Sequence, residues 1–132
     1  MTIKKHRIKL FQITGITNSS ITHFSYKIPR ELINITGILI NTGASPKAPS
    51  IPGCKLGSLT IHFNNKKTNI LQRYAVLGYK ALSKKLKPLS LNEDVEAGSL
   101  INAVYQDIGL SADYPYIVTV YLYGTIEKEI IK

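Results

Sequence analysis

YIVTVYLY, residues 116–123, is β-branched or aromatic at every position except Leu122. Such side chains fit a pleated, half-buried surface. Side chains on a strand point alternately to opposite faces, so Tyr116, Val118, Val120 and Leu122 share one face. Ile117, Thr119, Tyr121 and Tyr123 share the other. Upstream, Leu100 to Gln106 repeats the pattern, with Ile101, Ala103 and Tyr105 opposite Leu100, Asn102, Val104 and Gln106. The segment between, Asp107 to Asp113, is polar and contains Gly, which predicts a loop. The tail from Glu127 to Lys132 is predicted to fray.

Working back toward the start, Leu89 and Leu91 open a short strand that Asn92-Glu93-Asp94 is predicted to turn. Residues 69–87 fit two templates. Ile70, Gln72, Tyr74 and Val76 alternate as a strand would, whereas Leu71, Tyr74, Gly78 and Leu82 follow helical spacing. A strand over Ile70–Leu77 followed by a short helix near 78–87 is expected. Leu59, Ile61 and Phe63 alternate with Ser58, Thr60 and His62, and Asn64-Asn65-Lys66-Lys67 reads as a hairpin turn. Ile33 to Asn41 is the most apolar run. Gly37 within it predicts a bulge or a close backbone approach, and a central strand covered on both faces. In Ile21 to Ile28, Thr22, Phe24, Tyr26 and Ile28 oppose His23, Ser25 and Lys27, and Pro29 ends the run. In Arg7 to Thr14, neither face is cleanly polar.

Strands this short, separated by Gly, Pro, Asn and Ser, predict an all-β fold: an antiparallel β-sandwich, jelly-roll-like, with about seven or eight strands. The 132 residues suit one domain. A basic N-terminal arm is expected over 1–9. A long Pro/Gly loop is expected over 42–57, TGASPKAPSIPGCKLG, and a loop of that length is usually functional or docked. The longest apolar run is too short for a bilayer span, so no membrane partner is expected. Cys54 has no second Cys to pair with. No secretory signal is visible, and Asn18-Ser19-Ser20 and Asn34-Ile35-Thr36 match a glycosylation pattern that means little without one.

The net charge is +9 and unevenly spread. Residues 1–90 carry fifteen Lys/Arg against Glu31 alone, for +14; residues 91–132 carry two Lys against seven acids, for −5. This asymmetry fits an acidic partner or the opposite end of another copy.

Nucleophilic catalysis needs a Cys or Ser beside a base. Cys54 lies in the Pro-rich loop, and His6, His23 and His62 are scattered. One Cys and three isolated His do not make a structural zinc set. Glu93, Asp94 and Glu96 read as one solvated turn, with calcium the minor alternative. No enzymatic activity, cofactor or metal is expected. Single-stranded nucleic acid is the alternative partner. Lys4-Lys5-His6-Arg7-Ile8-Lys9, Lys66-Lys67 and Lys84-Lys85-Leu86-Lys87 are basic, and Phe11, Phe24, Tyr26, Phe63 and Tyr74 could act as stacking platforms on a small barrel, unless they are core. A glycan-binding module lacks Trp, the usual platform.

At Ile33–Gly43 (INITGILINTG), Pro88–Asp107 (PLSLNEDVEAGSLINAVYQD) and Tyr114–Gly124 (YPYIVTVYLYG) the chain resembles small β-sandwich virion proteins of tailed phages, in particular accessory capsid or head-fibre components of crAss-like phages. The resemblance implies a non-enzymatic virion structural protein, a bacteriophage capsid decoration or head-fibre component. Its partners would be capsid or other virion proteins and further copies of itself as a homo-oligomer. It carries over no functional residue. The interface candidates read from the residues are Lys4, Lys5, Arg7 and Lys9 of the basic arm, Pro46, Pro49 and Pro52 of the long loop, and Tyr121 and Tyr123, which are anchors if exposed and core if buried.

Overall fold

The structure is a computed structural model and describes residues 2–44, 55–64, 69–77, 89–96 and 98–129. Its eight strands are β1 (Thr2–Ile16), β2 (Ile21–Lys27), β3 (Leu32–Thr42), β4 (Lys55–Phe63), β5 (Asn69–Leu77), β6 (Leu89–Asp94), β7 (Leu100–Asp107) and β8 (Tyr116–Glu129). They form two four-stranded sheets with orders β1-β8-β3-β6 and β2-β7-β4-β5. All pairings are antiparallel.

The connectivity is a set of nested hairpins. β4 pairs β5, β3 pairs β6, β2 pairs β7 and β1 pairs β8, and rolling the set up lays β8 on β3 and β7 on β4. That arrangement is an eight-stranded jelly roll. The two sheets are not closed into a barrel.

The alternation read from the sequence gives the core. Phe11, Ile13, Ile35, Ile38, Val118, Val120 and Leu122 face inward from the first sheet, and Leu59, Ile61, Phe63, Ile101, Ala103 and Tyr105 from the second. Burying each large side chain contributes roughly 1.5–3 kcal/mol. Phe24 and Tyr26 close one side of the core, stacking on Phe11 at centroid distances of 5.4 and 5.0 Å. Two glycines are required by close approach. A side chain at Gly124 would collide with the Asn34 carbonyl of β3, and one at Gly57 with the Tyr105 hydroxyl and the Gln106 carbonyl.

Several elements differ from the sequence expectation. Residues 2–9 are not a separate arm: they are the first half of β1, laid along β8 from Thr2↔Glu129 onward. Asn92, Glu93 and Asp94 do not turn the chain but complete β6, because the ladder to β3 holds them extended. β8 runs to Glu129 instead of fraying at Glu127. β3 carries two register shifts, one ending at Gly37, as its glycine suggested, but its outer face is open at Thr36. Thr42 and Lys55–Gly57 belong to β3 and β4, which shortens the loop between them. Pro46, Pro49, Pro52 and Cys54, the expected helix near 78–87 and the turn at 65–67 lie outside the described residues.

Candidate docking surface

The outward face of the first sheet follows from its register. In one row Ile8, Tyr123 and Gly37 stand side by side; in the next, Leu10, Tyr121 and Leu39; in the next, Gln12, Thr119 and Asn41. Ile8 and Leu10 are 56% and 49% exposed, and Tyr121, Tyr123 and Leu39 are half-buried on the same face. Tyr123 has no side chain beside it at Gly37, so the sheet surface dips there. The concavity has a volume of about 440 Å³ and is lined by His6, Arg7, Ile8, Thr36, Tyr123 and Gly124. The result is a two-row apolar patch with a basic rim. Apolar clusters on a soluble surface mark sites of contact with other macromolecules.

The sequence-predicted interface residues divide over this sheet. Tyr121 and Tyr123 face outward and are half-buried, neither fully exposed nor part of the buried core. Arg7 and Tyr123 both line the concavity. Alternation sends Lys4 to the outer face with Ile8 and Leu10, and Lys5, Arg7 and Lys9 to the side shared with Phe11. Lys9 is engaged within the chain: its Nζ lies 2.9 Å from the Glu31 carboxylate. Hydrogen bonding and charge from Lys9 hold Glu31 below its ordinary value, the burial cost being smaller. Ile8 and Leu10 were not singled out from the sequence. Their signal was there, in a strand with apolar residues on both faces.

A second cluster, also missed, sits at the end of the sandwich. Asp107 is 3% exposed and its carboxylate accepts from Tyr116 Oη at 2.5 Å, Tyr114 Oη at 2.8 Å, Ser19 N–H at 2.8 Å and Gly109 N–H at 2.9 Å. With Tyr116 donating to Asp107, the 2.7 Å contact between the Tyr105 and Tyr116 hydroxyls has Tyr105 as donor. Burial pushes the Asp107 carboxyl up, but the bonds from Tyr116, Ser19, Tyr114 and Gly109 outweigh it and hold the carboxyl below its usual range. Burial is the main cause that raises Tyr105, Tyr114 and Tyr116 above the ordinary phenol value. Four donors match the roughly four acceptor sites of a carboxylate. The cluster therefore ties the β1–β2 turn, the end of β7 and the β7–β8 loop together.

The remaining sequence candidates do not converge. His6 is exposed on β1, His23 on β2, and His62 is half-buried on β4. Among the described residues no three His, Cys, Asp or Glu side chains come together to hold a metal. Of the proposed stacking aromatics, Phe11 and Phe63 are buried and Phe24 and Tyr26 pack inward, which leaves Tyr74 at the surface. Comparison with protein-family models and with curated proteins finds no match for this chain.

Proposed function

We propose that this chain is a non-enzymatic structural protein of a virion, an accessory capsid or head-fibre component that works by docking the outer face of its first sheet on another virion protein. The observation that carries the reading is the outward patch of Ile8, Leu10, Tyr121 and Tyr123. Tyr is favoured at contact surfaces because it offers large, rigid apolar area with a polar tip. The patch lies on two paired strands, so docking would not require them to order first. The jelly roll adds support, since viral capsid domains use this architecture, although the same fold serves lectins and cupins. The partners are other virion proteins, with the virion as its location.

Purified particles incubated with the chain and sedimented provide the test. The chain is expected to travel with the particle, and a Tyr121→Ser/Tyr123→Ser variant with an unchanged circular dichroism spectrum is expected to stay behind. A folded chain that never co-sediments, or a variant that binds as well as the parent, overturns the reading.

A further inference from the structure

β1 is the outermost strand of the first sheet and pairs with β8 on one side. Among the described residues no strand pairs with its other side. An edge strand presents a row of backbone N–H and C=O groups that a further strand can join. The ladder to β8 runs without a register shift from Thr2 to Ile13, so no bulge turns this part of the edge away. At Phe11 the inner side is closed by Phe24 and Tyr26 of β2. Residues 4–10 lie beyond that stack, with Glu31 reaching Lys9 at 2.9 Å.

This stretch has a different chemistry on each side. Ile8 and Leu10, 56% and 49% exposed, stand on the outer side. Lys5, Arg7 and Lys9 stand on the other. Their cross-strand neighbours on β8 are Ile126, Gly124 and Leu122, none of which carries a carboxylate. The acids of β8, Glu127 and Glu129, stand opposite Lys4 and Thr2. Glu31 holds Lys9 and also feels the charge of Arg7, but one acid does not neutralise three cations. Arg7 donates from Nη1 to the His6 carbonyl at 3.1 Å, which uses one of its five N–H groups. Residues 1, 45–54, 65–68, 78–88, 97 and 130–132, outside the described ones, include several Lys and no Asp or Glu, so those segments have no carboxylate to bring to this edge.

Basic residues on an edge commonly guard it against pairing. Here they bar the β1 of a second copy, because like charges would stand opposite. A guard does not need Ile8 and Leu10 exposed beside it, and those two offer an incoming strand apolar area to cover. We propose that β1 receives an extended acidic segment of a partner protein as an added strand, its alternate residues apolar beside Ile8 and Leu10 and acidic beside Lys5 and Arg7. The alternation has a period of two in either direction, so it suits a parallel or an antiparallel guest. Main-chain bonds would give affinity and the two-sided pattern would give selectivity. The inference rests on the docking reading and names the kind of segment the partner brings.

The test is fluorescence anisotropy of a short labelled peptide alternating Glu and Val, titrated with the full chain at low and high salt. Binding is expected at low salt and should weaken as salt rises. A fully N-methylated analogue keeps the charge but cannot donate to the edge, and should not bind. A peptide alternating Lys and Val should be refused by the parent. Lys5→Glu/Arg7→Glu, with an unchanged circular dichroism spectrum, should bind the acidic peptide about tenfold more weakly and accept the basic one. Tyr121→Ser/Tyr123→Ser should stay within about twofold of the parent, because the guest lies two strand spacings, about 10 Å, from β8. No binding of the acidic peptide, equal binding of its N-methylated form, or loss of binding on removing the tyrosines overturns the proposal. So does an oligothymidylate that binds as tightly, since charge alone would then be read. The two readings can fail separately. A parent that co-sediments with particles but ignores the peptide sinks this inference alone, and one that takes the peptide but never co-sediments sinks the docking reading alone.

Discussion

Asp107 is one carboxylate on which the β1–β2 turn, the β7–β8 loop and the start of β8 depend. Asp107→Asn replaces an acceptor oxygen by an NH2 that cannot receive donors, at an expected cost of about 2–3 kcal/mol in urea unfolding. The pH dependence has a defined sign. Asp107 is held below its usual value, so its contribution is present above about pH 4, the unfolded value, and is lost as pH falls through the folded value. The parent should lose stability there, and the Asn variant should show a flatter acid limb. Tyr105 and Tyr116 are raised, so their contribution is whole below about pH 10 and declines above it. Thermal melts across the alkaline range should show that decline, and Tyr116→Phe should lessen it. Gly57→Ala is a backbone counterpart: its methyl would strike the Tyr105 hydroxyl and the Gln106 carbonyl, and a loss of about 1–3 kcal/mol is expected.

At the level of the strand, β8 allows a comparison within a single element. Leu122 is fully buried, whereas its neighbours Tyr121 and Tyr123 face outward. Leu122→Ala should therefore cost about 2–5 kcal/mol in chemical denaturation. Tyr123→Ser should cost no more than about 1 kcal/mol, its effect falling on binding instead. The strict alternation of β8, β7 and β2 was legible because a period of two needs only local sequence. β1 was not, since Ile8 and Leu10 look as core-like as Phe11 and Ile13. What chooses between them is distant: Phe24 and Tyr26 of β2 stack on Phe11. Asn92-Glu93-Asp94 is turn chemistry by composition, and pairing with β3 overrides it. Asp107 was read as loop because a polar, Gly-containing stretch hides its donors: Gly109, Tyr114 and Tyr116 follow it within 9 residues without a periodic pattern, and Ser19 lies 88 residues away.

Taken as a whole, the molecule joins its first strand to its last. β1 pairs along nearly its full length with β8, and β8 also lies against β3, so most of the first sheet forms only after distant segments meet. Refolding followed by tyrosine fluorescence should accordingly take milliseconds to seconds, slower than a helical bundle of this size; a microsecond phase carrying the full amplitude would contradict it. Nested pairing also explains why sequence order and space disagree about charge. Strands of the acidic last third are interleaved with strands of the basic first two thirds, β8 between β1 and β3 and β7 between β2 and β4. The pairing of Thr2 with Glu129 has one more consequence. A short spacer could splice these neighbouring positions into a covalent circle without disturbing any rung between them. Because cyclisation restricts only the denatured chain, the ring should melt at a higher temperature than the linear parent.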